Sequence, residues 1–400
     1  MQSDYLIIGA GIIGLTIARH LQHRYPHRSI LIIDKEVDVA QHASGRNSGV
    51  LHAGLYYAND SLRAKYCKLG AVKIKQYCEK KNIPLNICGK VIVAKNENEI
   101  DDLKQLYQRA VINGVNAQLI DEAALSIIEP AAKTTQHAIY SPETASFHAE
   151  AICLHLKDDL QNFGVKFQFN TQFQSRVDAN TAQTNHGLIH YNTLINCAGA
   201  YADKIAKCYG FIENYTLIPF KGIFLYVENL AGNPLKHIYP LPDKKLKLLG
   251  AHFSPEHNGR IKIGPTAVPC LSRENYSWLS NLHFNEMKEV LTAELHLLIN
   301  NTFNFRELAM TEIKKQTKSG LMYHAASLVK DIRLFRCTSW GKPGILPRLY
   351  DIKKQEIVDD FIIQADTNSV HIINSVSPAF TASFAFSEDI VNTYLADKHV

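Results

Sequence analysis

Several features that define other protein classes are missing from this 400-residue chain. No uninterrupted apolar run approaches the roughly 20 residues that a membrane-spanning helix needs. The chain has 8 cysteines without any Cys-X-X-Cys pair, which indicates reduced thiols in a cytosolic protein rather than a disulfide framework or a metal site. The net charge of +5 is spread along the chain, so it favours acidic small molecules weakly and gives no case for nucleic acid. We find no low-complexity tract and no internal repeat.

The first 34 residues carry a glycine-rich motif between two apolar runs. The first run ends at Gly9, the motif continues through Gly11 and Gly14, and the second run ends in Asp34. In a strand–helix–strand unit these glycines permit a tight turn, close approach to a pyrophosphate and close helix–strand packing, and the acid can bond a ribose hydroxyl. This pattern predicts a dinucleotide site, and by itself it does not separate NAD from FAD. The alternative is a glycine-rich turn that binds nothing. Because the strand pattern starts at residue 4, no room is left for a signal peptide, and we expect a cytoplasmic protein.

The rest of the chain alternates between helix and strand patterns. Helices are predicted over residues 61–82, 98–110, 122–128, 150–163, within 283–335 and from 381. Strands are predicted over residues 90–94, 165–169, 173–177, 193–199, 360–363 and 370–374. Between residues 215 and 266 the character changes to short alternating strands (222–227, 246–251 and 260–263), which indicates a separate antiparallel sheet. The chain therefore leaves the nucleotide-binding domain and returns to it.

One long block in the first quarter of the chain resembles a known family. The segment HASGRNSGVLHAGLYY (residues 42–57) is similar to the signature of L-2-hydroxyglutarate dehydrogenases/oxidases, which are FAD enzymes of the D-amino-acid-oxidase-like group. Further similar blocks follow in the family's order: SLRAKYC (61–67), CGKVIVA (88–94), PFKG (219–222), LGAHFS (249–254), GRIKIGP (259–265), VDDF (358–361) and NSVSPAFTAS (374–383). The resemblance covers essentially the whole chain.

The resemblance implies FAD and a fold of two interleaved parts. An α/β, Rossmann-like FAD-binding domain would comprise residues 1–82, 140–214 and 340–400. An α+β substrate domain with a mainly antiparallel sheet would comprise residues 83–139 and 215–339. The residues expected at the cofactor are Gly9, Gly11, Gly14, Asp34, Lys35, Ser44, Asn47, Ser48, Gly49, Val50, Phe173, Cys197, Ala198, Gly199, Gly344, Ser377, Pro378, Ala379 and Thr381. The turn at residues 377–379 would aim the N-terminus of the last helix at the flavin's pyrimidine end; the alternative is a simple helix cap.

The implied reaction is the oxidation of a small 2-hydroxy acid, with L-2-hydroxyglutarate as the best candidate. The reaction needs a base, and His52 in the signature block is the expected catalytic residue, because a histidine is largely neutral at pH 7. The expected substrate-binding residues are His252, Arg348, Lys221, Tyr57 and Tyr239. Lys221 stands where the family typically has arginine, Leu346 replaces another arginine with Arg348 two residues later, and Arg46 replaces a histidine.

These departures keep other functions open. An amine or amino-acid oxidase of the same fold is the first alternative, and a flavoprotein that has lost its substrate site is the second. The electron acceptor would be quinone or oxygen. A basic stretch with interspersed apolar residues (312–336) suggests peripheral contact with the inner face of a membrane, or else a solvated helical face.

Overall fold

A computed structural model describes residues 1–232, 235–242, 250–277, 281 and 284–396. The helices are α1 (Ile12–Arg24), α2 (Leu62–Lys80), α3 (Ile100–Ile112), α4 (Glu122–Ile128), α5 (Ala149–Asn162), α6 (Ala202–Cys208), α7 (Phe284–Asn300), α8 (Phe305–Lys314), α9 (Lys318–Ala325) and α10 (Ala379–Tyr394). The strands are β1 (Gln2–Ile8), β2 (Ile30–Ile33), β3 (Val50–Leu51), β4 (Leu85–Asn86), β5 (Lys90–Val93), β6 (Gln118–Asp121), β7 (His137–Ser141), β8 (Ala145–Phe147), β9 (Lys166–Gln168), β10 (Phe173–Asp178), β11 (Thr181–Thr184), β12 (Gly187–Asn196), β13 (Tyr215–Gly222), β14 (Leu225–Asn229), β15 (His237–Pro240), β16 (His252–Pro255), β17 (Ile261–Gly264), β18 (Val268–Pro269), β19 (Phe335–Trp340), β20 (Gly344–Asp351), β21 (Glu356–Ile357), β22 (Ile362–Ala365) and β23 (Ser369–Asn374).

The first sheet is built around the glycine-rich unit. Its order is β10-β11-β12-β1-β2-β9, with β23 beside β12 and β22 beside β23. The pairs β1–β2, β1–β12, β2–β9 and β12–β23 are parallel. Residues Tyr5–Ile8 of β1 and the whole of β2 are apolar and buried, as strands covered on both faces must be. Residues of α1, α2, α5 and α10 share one hydrophobic core with these strands.

The second large sheet forms a separate layer of the structure. Its order is β19-β14-β17-β16-β15-β5-β7-β6. All its pairs are antiparallel except β5–β15, which is parallel. The pairing of β5 with β15 joins two segments that lie almost 150 residues apart, and it brings Lys90 into register with His237.

Two smaller sheets connect these layers. Strands β18-β13-β20-β21 form one, and the helices α7 and α8 pack on it through Leu297 and Leu308. Strands β3-β8-β4 form the other, and β3 belongs to the signature segment of residues 42–57, which we call the signature loop. The structure is thus α/β, with one sheet built on a parallel centre and the antiparallel strands β10, β11 and β22, and a second, mainly antiparallel sheet, as the predicted fold class requires.

Most predicted elements are confirmed, and α4 agrees to the residue. The strand predicted over residues 246–251 falls largely outside the described residues, and β16 begins just after it. The predicted domain boundary at residue 140 falls inside β7, which pairs with β5 and β6. Strand β20, placed in the FAD-binding part, pairs along its whole length with β13 of the other part. The division into two interleaved domains stays a prediction.

Candidate active site

The N-terminus of α1 faces a cavity of about 330 Å³. A methyl group at Gly9 would lie 2.4 Å from the carbonyl oxygen of Cys197, and one at Gly14 would lie 2.0 Å from that of Gly9. These two glycines therefore allow β1, β12 and α1 to pack. Gly11 has an ordinary backbone conformation (φ −77°) and lines the cavity, with Ser44 Oγ 3.0 Å from its missing Cβ. Close approach of a ligand to the backbone is possible there because Gly11 lacks a side chain.

The carboxylate of Asp34 is held by the backbone beside this cavity. It accepts hydrogen bonds from Ala10 N at 2.7 Å and from Glu36 N at 2.9 Å. Ser44 Oγ accepts a bond from Ile12 N at 3.0 Å in the first turn of α1. Lys35 also lines the cavity, and its ammonium lies 2.6 Å from the carboxylate of Glu274. The site is therefore pre-shaped by polar contacts between loops that are remote in sequence.

The predicted cofactor residues fall into three groups. Gly9, Gly11, Asp34, Lys35, Ser44, Phe173, Cys197 and Ala198 line the cavity just described. Asn47, Ser48 and Gly49 line a second cavity of about 400 Å³ between the signature loop and the second sheet. Gly14, Val50, Gly199, Gly344, Ser377, Pro378, Ala379 and Thr381 lie outside the walls of these two cavities. Cofactor contacts by these residues stay predictions.

The first turn of α10 is tied to the signature loop. Thr381 Oγ1 accepts a hydrogen bond from His52 N at 3.2 Å and donates one to Val50 O at 3.4 Å. Gly344 lies so close to this loop that a methyl group there would be 2.1 Å from Arg46 O. The structure thereby places His52 beside the N-terminus of α10.

Four basic side chains, Lys90, His52, His237 and His252, meet between the signature loop and the second sheet; we call them the basic cluster. Lys90 is fully buried, and its Nζ has no hydrogen-bond partner among the described residues. That Nζ lies 4.1 Å from the ring centroid of Tyr239 and 5.5 Å from that of Tyr56. Aromatic faces stabilise a cation only partly, so this ammonium lacks the hydrogen bonds that a buried charge needs.

The hydrogen bonds of two cluster histidines define their tautomers. His252 Nδ1 lies 2.9 Å from Gly250 O, and since a carbonyl only accepts, Nδ1 carries the proton. His237 Nε2 lies 3.1 Å from Ser146 Oγ, and that hydroxyl donates to Pro255 O, so Nε2 of His237 carries the proton. The remaining nitrogens, His252 Nε2 and His237 Nδ1, are buried without a partner among the described residues. Both are free to accept a proton or a hydrogen bond.

Burial and mutual repulsion keep the cluster short of protons. Burial lowers the pKa of His52 well below its usual value, with the charge of Lys90 acting in the same direction. Burial lowers the pKa of His252 to about 3 and that of Lys90 to about 7. Among the described residues, the groups whose charge shifts the pKa of the three histidines are lysines and histidines, without a carboxylate. The histidines are therefore neutral near pH 7, and Lys90 is the group of the cluster that can bind a negatively charged ligand.

The other predicted substrate residues are less close together. Tyr239 stacks on His252 with ring centroids 3.8 Å apart, inside the cluster. Tyr57 is buried against Arg63, whose guanidinium lies 5.0 Å from the ring. Lys221 lies on β13 and donates to Asn275 O at 3.3 Å, outside the cluster. Arg348 forms an ion pair with Asp359, so it is already engaged by a carboxylate.

Sequence reasoning missed Lys90, His237 and Arg63. Lys90 and His237 are each the first residue of an apolar strand, a position typical of exposed strand ends, and the pairing of β5 with β15 buries both. Arg63 Nη1 donates to Ser377 O at 3.5 Å, next to the turn predicted at the flavin. The segments 61–67 and 88–94, which resemble the family, contain Arg63 and Lys90, and this resemblance is the signal that could have identified both residues.

Residues 4–386 match the family model described as FAD dependent oxidoreductase. The chain belongs to this family. It is 32% identical over 406 residues to the mitochondrial L-2-hydroxyglutarate dehydrogenase of Mus musculus, covering 96% of this chain and 86% of that protein. It is 31% identical over 396 residues to the L-2-hydroxyglutarate dehydrogenase of Indibacter alkaliphilus, covering 96% and 97% of the two chains.

Solved structures agree on the fold. The FAD-bound L-alpha-glycerophosphate oxidase of Mycoplasma pneumoniae superposes with a TM-score of 0.75 at 22% identity, over 98% of this chain and 94% of that one. The glycine oxidase of Geobacillus kaustophilus superposes with a TM-score of 0.74 at 18% identity, over 100% and 96%. Among the described residues no helix is both long and apolar enough to cross a membrane.

The residues present fit the cofactor of the family. The cavity at the N-terminus of α1 is open at Gly11, bounded by the carboxylate of Asp34, and lined along one side by Cys197 and Ala198. Small side chains and helix N–H groups are what a pyrophosphate requires, and a fixed carboxylate is what a ribose requires. The protein is an FAD-dependent oxidoreductase.

Proposed function

We propose that this protein oxidises L-2-hydroxyglutarate to 2-oxoglutarate. The observation that carries the proposal is the basic cluster: a buried lysine and three histidines with unpartnered nitrogens, beside the first turn of α10. A dicarboxylate brings the negative charge that this cluster lacks. The curated relatives cited above, whose names specify this substrate, support the same reaction.

His52 is the base in this proposal. Its pKa lies well below the usual value, so the imidazole is neutral at pH 7 and can take the proton of the substrate hydroxyl. Nδ1 of His52 has no partner among the described residues, and the side chain is only half-buried. FAD, when bound, supplies the acceptor for the hydride that leaves the α-carbon. His52 is held in place by the bond from its backbone N to Thr381.

An amine or amino-acid oxidase of this fold is the second candidate, since the glycine oxidase structure has a comparable TM-score. An ammonium substrate needs an acceptor or a carboxylate near the reacting nitrogen. Around the three histidines, the described groups that shift their pKa values are lysines and histidines. Lys90 disfavours a second cation at this place, and no carboxylate is among these described groups, so the environment favours the hydroxy acid.

Anaerobic titration of the purified flavoprotein tests the proposal. Addition of L-2-hydroxyglutarate should bleach the flavin band, whereas the D isomer should leave it unchanged. Bleaching by glycine, sarcosine or proline and not by the hydroxy acid would establish the second candidate. A flavin band that no hydroxy or amino acid bleaches would identify a flavoprotein without this activity.

As part of the same proposal, the membrane contact predicted over residues 312–336 extends to exposed apolar residues of α7 and α8, and quinone can accept the electrons at this anionic surface. Leu295, Ile299, Met310 and Ile313 are exposed there, and Lys314 follows them. Apolar side chains with neighbouring lysines suit an interfacial helix. Co-sedimentation with phosphatidylglycerol vesicles but not with phosphatidylcholine vesicles is the expected result, and Leu295→Glu with Ile299→Glu should abolish it. Equal turnover with oxygen and a soluble quinone, without vesicle binding, would contradict this part.

A further inference from the structure

Lys90 is a buried cation without an anionic partner among the described residues. It is 0% exposed, and the groups nearest its ammonium are the faces of Tyr239 and Tyr56. Taking an ammonium out of water costs several kcal/mol unless paired charges and hydrogen bonds replace the water. A second buried lysine of the same sheet, Lys262, shows the usual solution, since it pairs with Glu256 at 3.0 Å. Lys90 therefore needs an anion from outside the described residues.

The position of Lys90 relative to His52 indicates which part of a ligand it meets. His52 is bonded to Thr381 at the first turn of α10. Lys90 is on β5 of the second sheet, where β5 pairs with β15 and β7, whereas α10 shares its core with the first sheet. Because the two side chains come from different layers, a ligand whose hydroxyl reaches His52 can place a second group at Lys90.

We propose that Lys90 binds the carboxylate remote from the reacting carbon and so makes the site selective for dicarboxylates. This inference rests on the proposed function, because it takes His52 as the end where oxidation occurs. The neighbouring His237 is in register with Lys90 on the next strand, so it borders the proposed subsite.

The test is a binding experiment on the oxidised, FAD-loaded protein with ligands that cannot be oxidised. Glutarate has two carboxylates and pentanoate has one, on chains of equal length. Perturbation of the flavin spectrum or calorimetry gives both dissociation constants. Lys90→Met keeps the apolar stem and removes the charge, and a charge-assisted hydrogen bond accounts for roughly 10- to 100-fold in affinity. We expect Lys90→Met to weaken glutarate by about that factor and to leave pentanoate unchanged.

Two further variants complete the design. Lys236→Met is the matched control, since Lys236 precedes the same strand β15 but its Nζ already donates to Cys88 O at 3.3 Å; its glutarate affinity should equal that of the wild type. Lys90→Arg keeps the charge and should retain a preference for glutarate. If Lys90→Met does not load FAD, the comparison of Lys90→Arg with Lys236→Met still tests the subsite. Loss of the preference for glutarate over pentanoate in Lys90→Arg would contradict it.

The outcomes separate this inference from the proposed function. Equal losses for glutarate and pentanoate in Lys90→Met, or no loss for either, overturn the subsite even if L-2-hydroxyglutarate reduces the wild-type flavin. A selective loss of glutarate supports the subsite even if that substrate leaves the flavin oxidised. With L-2-hydroxyglutarate as substrate, the loss of a remote subsite in Lys90→Met should raise KM more than it lowers kcat. A fall in kcat alone would instead make Lys90 the base and overturn the binding role.

Discussion

The imidazole of His252 lies on the phenol ring of Tyr239, with centroids 3.8 Å apart and the ring planes inclined by 28°. The hydrogen bond from His252 Nδ1 to Gly250 O also fixes the orientation of the imidazole. The ammonium of Lys90 lies over the same phenol ring, with Nζ 4.1 Å from the ring centroid of Tyr239. One aromatic side chain thus positions two members of the basic cluster, and the unpartnered His252 Nε2 is oriented before any ligand arrives.

Replacement of His52 by glutamine should slow reduction of the flavin without loss of the cofactor. Glutamine keeps a polar side chain of similar size but cannot take the hydroxyl proton, and general-base catalysis typically contributes about 10²- to 10⁴-fold. Anaerobic stopped-flow measurement of the reductive rate, with flavin content from the visible spectrum, gives the result. His155→Gln on the exposed side of α5 is the control. An unchanged reductive rate in His52→Gln would remove this residue from the mechanism.

Two neighbouring glycines of the motif should fail in different ways. At Gly14 a methyl group meets Gly9 O at 2.0 Å, so Gly14→Ala should prevent α1 from packing and lower the thermal midpoint sharply. At Gly11 the methyl group meets only Ser44 Oγ at 3.0 Å, and the backbone conformation is ordinary. Gly11→Ala should therefore fold and lose FAD affinity, because the methyl group occupies the cavity. Circular dichroism melting and flavin content separate the two effects; equal flavin loss without a change in melting for both variants would contradict the assignment.

The secondary structure and the family fold could be predicted from the sequence because their signals are local. The apolar runs around Gly9 and Asp34 form the parallel unit, and α4 agrees to the residue because Asp121 caps its first turn through Ala124 N. His52, His252 and Tyr239 were each singled out from separate segments, and the structure brings all three to one place.

The rest depends on pairings that no local pattern contains. Lys90 and His237 become neighbours only through a parallel pairing of strands that are distant in sequence. Leu346 and Arg348 lie two residues apart on β20, whose pairing with β13 is regular across Pro347, so both side chains point to the same face of the strand. The strand pattern does not predict the ion pair of Arg348 with Asp359, which lies in the segment after β21.

Arg348→Leu should therefore affect stability before it affects binding. Arg348 is buried, burial lowers its pKa, and its partner Asp359 is about one-third exposed. Removing one member of a partly buried ion pair costs on the order of 1–3 kcal/mol in the free energy of unfolding. Urea unfolding measures this loss of stability. KM for L-2-hydroxyglutarate should change less than threefold, which corresponds to about 0.6 kcal/mol or less in binding free energy. A large rise in KM at unchanged stability would restore Arg348 as a carboxylate anchor.

The titration of Lys90 should be visible in the pH dependence of stability. Burial lowers its pKa from 10.5 to about 7 in the folded protein. Between these two values the unfolded chain binds more protons than the folded one, so this residue makes the free energy of unfolding rise with pH. The limiting slope for one group is about 1.4 kcal/mol per pH unit. Below pH 7 both states are protonated, and the full cost of the buried charge is present.

The groups around Lys90 define the window in which its contribution can be isolated. The neighbouring titratable groups are Cys67, Cys88, His52, His237, His252, Tyr56 and Tyr239. The histidines, with lowered pKa values, act below about pH 6.5, and the thiols, whose pKa burial raises, act above about pH 8.5, near the values of the free side chains. Urea unfolding between pH 7 and pH 8.5 should therefore show the wild type gaining stability relative to Lys90→Met as the pH rises. Since the same neighbours are present in both proteins, parallel curves over this range would mean that Lys90 keeps its ordinary pKa and already has an anionic partner.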